Sequence, residues 1–139
     1  MVFFKKHILP PDISGLSLGE AGEEWVAYLY RKNGYEIIAR NYALFGQKQF
    51  GEIDIVASKA NRICIVEVKT RRSERFMPLE DTINFKKQTL LRRMAYLYLQ
   101  QNPQYKDWNI QIDIAAVLMD PFDNSVKSVK LIENAIEDT

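Results

Sequence analysis

The chain has 139 residues, of which 47% are hydrophobic and 27% charged, and its formal net charge is +1. This composition is typical of a single soluble domain that is long enough to bury a core. No apolar run approaches the roughly 20 residues that cross a bilayer, so we expect no contact with a membrane. The single cysteine, Cys64, excludes an internal disulfide and a multi-cysteine zinc site, and it indicates a cytoplasmic protein.

The first half of the chain predicts one helix followed by three strands. Residues 17–20 form a capping box, Ser-Leu-Gly-Glu, which starts a helix that ends near Asn33. A strand is predicted over residues 35–42. The apolar runs at residues 50–58 and 62–70 then predict a hairpin, because turn-forming residues separate them.

The second half predicts one more helix and two more strands. Residues 71–79 form a polar connection, and a helix begins at Thr82 or Asn84 and runs to about Gln101. Strands follow over residues 110–119 and 126–133, and their common turn contains Pro121. Strands that are apolar on both sides, with helices between them, predict a mixed five-stranded sheet covered on both faces. The fold class is therefore α/β, in the order αβββαββ.

The predicted hairpin brings charged residues together beside apolar strands. A two- or four-residue loop around residues 59–62 pairs Val56 with Ile65 and Asp54 with Glu67, and Lys69 shares the face of Glu67. Two carboxylates this close repel each other unless a proton or a cation lies between them. A hard divalent metal ion resolves the conflict and leaves Lys69 for an anionic substrate. The pattern favours a metal-dependent site that cleaves phosphodiesters.

The Glu-x-Lys triplet also has a simpler interpretation. Short motifs recur freely, and an ordinary Glu67–Lys69 ion pair at a strand end explains most triplets of this kind. The register-matched Asp54 and the apolar strands around the triplet favour the functional interpretation here.

Basic residues follow this candidate site along the chain. Residues 69–93 contain eight basic and three acidic side chains, whereas residues 113–139 contain two basic and six acidic ones. A basic excess that starts at the site is typical of a phosphate-binding surface, although a solvated helix face gives the same pattern. The predicted nucleic-acid contacts are Arg71, Arg72, Arg75, Lys86 and Lys87.

Glu23 is a third candidate acid, on the first helix. Its helical neighbours Gly19, Ala27 and Tyr30 place it at the edge of the buried stripe. Periodicity alone favours a solvated side chain at this position.

Two motifs resemble the PD-(D/E)xK nuclease superfamily, and specifically its bacterial YraN family. They are Gly51-Glu52-Ile53-Asp54-Ile55-Val56-Ala57 and Val66-Glu67-Val68-Lys69-Thr70-Arg71. Gly22-Glu23, Arg40-Asn41-Tyr42 and Lys87-Gln88 also agree with that family. The resemblance covers residues 19–136, so we treat residues 15–139 as one domain and residues 1–14 as an extension outside the resemblance. One departure is Gln111, where the family commonly has arginine.

The resemblance implies a restriction-endonuclease-like fold, similar to that of archaeal Holliday-junction resolvases. It implies that Glu23, Asp54, Glu67 and Lys69 form the active site. Asp54 and Glu67 are expected to bind Mg²⁺ or Mn²⁺, and Glu23 to reach the same ion through water or to hold a second one. The analogy also makes a homodimer a candidate assembly.

The sequence thus predicts a metal-dependent nuclease that acts on nucleic acid, with DNA favoured and branched or structured substrates included. Two alternatives stay open. One is a non-catalytic nucleic-acid-binding module on the same fold, which would bind without needing metal or Lys69. The other is a protein-interaction subunit, in which aromatic residues such as Trp25, Phe76 and Phe85 belong to a partner surface.

Overall fold

A computed structural model of the chain describes residues 8–45, 49–73 and 84–136. Two helices and five strands account for most of these residues. In chain order they are α1 (Leu18–Lys32), β1 (Glu36–Phe45), β2 (Gln49–Lys59), β3 (Arg62–Arg71), α2 (Phe85–Gln101), β4 (Asn109–Met119) and β5 (Val126–Ile132). A short 3₁₀ turn, Pro103–Tyr105, connects α2 to β4.

The five strands form one mixed sheet in the order β1-β2-β3-β4-β5. The pairs β1–β2, β2–β3 and β4–β5 are antiparallel, whereas β3 and β4 are parallel. Two parallel neighbours need a long crossover, and α2 lies between them in the chain. The predicted α/β class and the order αβββαββ are confirmed.

Each helix covers one face of the sheet. The core on the α1 side contains Val26, Ala27 and Tyr30 of the helix, and the core on the α2 side contains Leu91, Met94 and Tyr98. Ile37 and Ile38 of β1 pack into opposite cores, because side chains alternate along a strand. Burial on both faces explains why β3 and β4 are apolar along most of their length.

The helix starts agree with the capping signals. The Ser17 hydroxyl oxygen accepts a hydrogen bond from the Glu20 N–H, which is the first of the two bonds of a capping box, and the hydroxyl donates to the Glu20 carboxylate. The Asn84 side chain accepts from the Lys87 N–H, which selects Asn84 over Thr82 as the residue before α2. The strand β1 continues to Phe45, three residues beyond its predicted end. Most of the predicted connection at residues 71–79 lies outside the described residues.

A buried carboxylate joins three elements of the fold away from the hairpin. Asp113 of β4 is only 1% exposed, and it accepts hydrogen bonds from the Tyr30 hydroxyl, the Gln111 amide and the Asn134 N–H. Buried charges require such partners. Gln111, the departure from the family pattern, is thus one of the groups that satisfy Asp113. Within the described residues, no helix is both long and apolar enough to cross a membrane.

Candidate active site at the fork of the hairpin

The hairpin of β2 and β3 opens into a fork at the predicted acidic centre. Their described pairing runs from Lys59 and Arg62 to Ile55 and Val66, in the predicted register. Beyond that point, β2 continues alongside β1 and β3 continues alongside β4. The direct pairing predicted for Asp54 with Glu67 is therefore not part of this ladder, and the two residues lie where the strands separate.

The fork coincides with an interruption of the normal alternation along β2. Ile53 packs into the α2-side core, whereas Ile55, two residues later, packs into the α1-side core. The partner strand is irregular at the same level, since Asn41 lies across from Asp54 and has a φ of 48°. Asparagine tolerates this left-handed conformation better than most residues do. Ala39 and Tyr42 of β1, three residues apart, both pack against the α2-side core, so β1 changes face at the same level as β2.

Asp54 is bound to the Glu-x-Lys segment by the backbone of β3. Its Oδ2 atom accepts a hydrogen bond of 2.8 Å from the N–H of Val68, the residue between Glu67 and Lys69. The contact orders the first carboxylate against the strand that carries the second. The structure thus brings Asp54 to this motif through a side chain to backbone hydrogen bond, whereas the prediction was a direct pairing with Glu67.

Glu67 is buried and faces two lysines. Its side chain lies on the α2 side of β3, and the residue is 6% exposed. The Glu67 Oε1 atom is 3.4 Å from Lys69 Nζ and 2.8 Å from Lys87 Nζ. A buried carboxylate needs a compensating charge, and here β3 and α2 each supply one.

Glu23 reaches the fork from the opposite face, because α1 lies unusually close to β3. Gly22 packs against Thr70, where a Cβ atom would be only 1.9 Å from the Thr70 hydroxyl oxygen. Glu23 is half-buried beside this contact, so it is not the solvated side chain that periodicity alone favours. Burial raises the pKa of Glu23, while Arg40 and a hydrogen bond with Asp54 oppose that rise.

The electrostatics of the fork centre on Asp54. Burial raises the pKa of Asp54 to about 7, and the nearby carboxylates of Glu67 and Glu23 act in the same direction. The hydrogen bond from Val68 and the charge of Lys69 only partly offset this rise. Without a metal ion, Asp54 therefore retains a proton at pH values where an ordinary aspartate has lost it.

This pKa predicts how the metal-free protein responds to pH. The Asp54 pKa rises on folding from an ordinary 3.8 to about 7, so the folded state binds the proton more tightly. Stability should therefore fall as the pH rises from 4 to 7, with Asp54 contributing on the order of 2 kcal/mol. We expect Asp54→Asn to reduce the dependence of the free energy of unfolding on pH between 4 and 7, and to raise the melting temperature at pH 8 in EDTA.

Urea unfolding at a series of pH values, in EDTA, measures this effect. Asp107→Asn, on an exposed turn, is the matched control, and its free energy of unfolding should change with pH as that of the wild type does. If the free energy of unfolding of Asp54→Asn depends on pH as strongly as that of the wild type, the assignment of the raised pKa to Asp54 is wrong.

The predicted phosphate-binding residues separate into three groups. Arg71 and Arg72 are exposed at the end of β3, and Lys86 is exposed in the first turn of α2. Arg75 lies outside the described residues. Lys87 faces Glu67 inside the fork, a position that its sequence neighbourhood did not reveal.

A divalent metal ion at the fork would need oxygen ligands from the side chains gathered there. Within the described ranges, no group of three or more histidine, cysteine, aspartate or glutamate side chains is arranged to hold an ion. However, Mg²⁺ commonly uses only one or two carboxylates, with water and substrate phosphate completing its shell. Asp54 and Glu67 supply two hard oxygen donors whose repulsion a cation would relieve. Asp54 and Glu67 are therefore the described side chains that could hold such an ion, and Glu23 lies close to Asp54.

The fold and the fork define a PD-(D/E)xK nuclease-like protein with a restriction-endonuclease-like sheet. Residues 22–117 match Uncharacterised protein family UPF0102, the YraN family, and the chain belongs to this family. The matched range includes every candidate catalytic residue from Glu23 to Lys69, together with Lys87.

Curated relatives are similar over most of their length. A UPF0102 protein of Caldicellulosiruptor saccharolyticus is 38% identical over 118 residues, covering 85% of this chain and 95% of the relative. A UPF0102 protein of Syntrophomonas wolfei is 39% identical over 103 residues, covering 74% and 85%. A third, from Nocardia farcinica, is 39% identical over 106 residues, covering 76% and 79%.

Proposed function

We propose that this protein is a metal-dependent nuclease that hydrolyses phosphodiester bonds of nucleic acid, with DNA as the favoured substrate. The observation that carries the proposal is the hydrogen bond from the Val68 N–H to Asp54 Oδ2. It holds one carboxylate against the segment that bears Glu67 and Lys69. An isolated Glu-x-Lys ion pair would need no second acid at this position.

The proposed roles follow from charge and burial. Asp54 and Glu67 would hold Mg²⁺ or Mn²⁺, with the Val68 carbonyl oxygen and water as further ligands. When bound, such an ion lowers the pKa of a water molecule and polarises a phosphate group. Lys69, half-buried beside Glu67, would orient the attacking water and stabilise the negative charge that develops on the phosphate. The water oxygen bonds to phosphorus, one P–O ester bond breaks, and the departing oxygen takes up a proton.

The surface around the fork supports a nucleic-acid substrate. Arg71, Arg72 and Lys86 are exposed near the ends of the two elements that carry Glu67 and Lys87. Exposed cations on either side of a cleavage site bind the flanking phosphates and fix the register of the strand. We also propose Mg²⁺ or Mn²⁺ as the cofactor, and a homodimer as the assembly to test by gel filtration.

A cleavage assay tests the proposal. The full chain is incubated with end-labelled linear, flapped and four-way-junction DNA, and with single-stranded RNA, each in EDTA, Mg²⁺ or Mn²⁺. We expect cleavage with either metal to exceed the EDTA control by about 10³-fold or more. The most rapidly cleaved shape then defines the substrate class.

Two other results would replace this proposal with another function. Salt-sensitive binding without cleavage in either metal would favour the non-catalytic nucleic-acid-binding module. Neither binding nor cleavage would leave the protein-interaction subunit as the interpretation of the fold.

A further inference from the structure

Lys87 is closer to Glu67 than the lysine of the Glu-x-Lys motif is. Its ammonium nitrogen is 2.8 Å from Glu67 Oε1, compared with 3.4 Å for Lys69. The Lys87 side chain is 27% exposed, so it lies in the fork and retains access to solvent. It therefore differs from Lys86, its exposed neighbour on the first turn of α2.

Helix stability does not explain this lysine. Residues of the first turn of α2 include Lys86 and Lys87 and no acid, and the last turn has no basic residue. The N-terminus of a helix carries a partial positive charge, so each cation placed there destabilises the helix. The charges of α2 oppose its own dipole, which indicates that another role keeps Lys87 at this position.

The charge of the fork shows what that role requires. In the metal-loaded fork, three ionised carboxylates (Glu23, Asp54 and Glu67) would face a divalent ion and two ammonium groups (Lys69 and Lys87). These charges leave an excess of one positive charge, which attracts a phosphodiester. Without Lys87, the metal-loaded fork would be neutral. Among these five side chains, Lys87 thus supplies the positive charge that is left in excess once the ion is bound.

We propose that Lys87 is a catalytic residue that pairs with Glu67 in the metal-free protein and contacts the phosphate under attack once Glu67 binds the ion. This inference rests on the proposed nuclease function and gives Lys87 a place at the reacting phosphate, whereas Arg71, Arg72 and Lys86 contact flanking phosphates. An ammonium and a metal ion compete for one carboxylate oxygen, so Lys87 opposes metal binding and favours the chemical step.

The test compares Lys87→Gln, Lys87→Arg and Lys86→Gln in the full chain. The affinity for Mn²⁺ alone is measured by isothermal titration without nucleic acid, and cleavage is measured at saturating Mn²⁺. We expect Lys87→Gln to bind Mn²⁺ on the order of tenfold more tightly, because Glu67 has lost a competing cation. The same variant should cleave about 10²-fold more slowly.

Lys87→Arg provides the second comparison. A guanidinium group binds a carboxylate through two hydrogen bonds and competes more strongly than an ammonium, so this variant should bind Mn²⁺ more weakly than the wild type. Lys86→Gln removes the same charge one residue away and should leave the Mn²⁺ affinity unchanged. We therefore expect the affinity for Mn²⁺ to increase in Lys87→Gln and to decrease in Lys87→Arg.

Either of two results would overturn the inference. If Lys87→Gln and Lys87→Arg both weaken Mn²⁺ binding, Lys87 merely tethers α2 to β3. If Lys87→Gln cleaves at the wild-type rate in saturating Mn²⁺, Lys87 does not contact the phosphate. A wild-type protein that binds Mn²⁺ but cleaves no substrate would disprove the proposed function and the phosphate contact, and the titrations would still decide whether Lys87 competes for Glu67. If Lys87→Gln does not fold, the affinity of Lys87→Arg decides this competition.

Discussion

Glu67→Gln is expected to reduce metal-dependent cleavage of DNA by about 10³-fold. Glutamine keeps the shape of the side chain and an oxygen that can accept a hydrogen bond from Lys87. It removes the negative charge, however, and with it one of the two carboxylates that would hold the ion. Lys69→Ala should cause a loss of similar size, because the proposed cation that orients the attacking water and stabilises the developing phosphate charge is then missing.

A second measurement separates this effect from a general loss of structure. The Glu67 carboxylate helps to raise the pKa of Asp54, so Glu67→Gln should lower that pKa, and burial should keep it above 3.8. Nuclear magnetic resonance of the Asp54 carboxyl carbon against pH follows the change directly. Glu36→Gln, at the exposed start of β1, is the matched control and should retain cleavage and the Asp54 titration. Cleavage by Glu67→Gln near the wild-type rate would contradict the proposed role of Glu67.

Local patterns in the sequence were sufficient to predict the sheet and the register of the hairpin. Alternation and the short connection fix the pairing of Val56 with Ile65, and the structure confirms it. The capping signal placed the start of α1 correctly and left two candidates for the start of α2, of which the structure selects Asn84; both Ser17 and Asn84 bond to backbone groups only three residues away. These features depend on neighbours in the chain or across one turn, where sequence spacing carries the geometry.

The fork could not be predicted, because it depends on two strands that change face together. A strict period of two places Ile53 and Ile55 on the same face, but they pack into different cores. The left-handed conformation of Asn41, on the neighbouring strand, accompanies the change. Nothing in the hairpin itself marks this position. The sequence feature that lies at this position is the segment Arg40-Asn41-Tyr42 on the neighbouring strand, which was noted only as part of the family resemblance.

The contacts of Glu67 and Glu23 with distant elements were also hidden from the sequence. Lys87 was predicted to bind a flanking phosphate, but α2 packs so that its ammonium group meets Glu67. Glu23 was assigned to the site through the resemblance alone. Its position follows from the absence of a side chain at Gly22, which lets α1 approach Thr70. Such contacts are set by tertiary packing, and periodicity along one helix does not contain them.

Gly22→Ala is expected to destabilise the protein by about 2 kcal/mol and to reduce cleavage as well, because α1 must then move away from β3. The added methyl group would lie 1.9 Å from Thr70 Oγ1, 3.0 Å from Thr70 Cβ and 3.1 Å from Thr70 Cγ2. Rotation of the threonine side chain exchanges one of these clashes for another. A displaced α1 carries Glu23 away from Asp54. Urea unfolding and the cleavage assay measure the two effects.

Two further variants make the explanation specific to this contact. Gly19→Ala lies on the same helix, where no atom is within 4 Å of the added Cβ, so it should be neutral or stabilising by up to about 1 kcal/mol. Thr70→Ala removes two of the three clashing atoms, including a buried hydroxyl oxygen that has no hydrogen-bond partner among the described residues. The double variant with Gly22→Ala and Thr70→Ala should lose about 1 kcal/mol less free energy of unfolding than the sum of the two single-variant losses. If the two losses are strictly additive, Gly22→Ala acts within helix α1 and not through a clash with Thr70. The position of Glu23 at the fork would then have another cause.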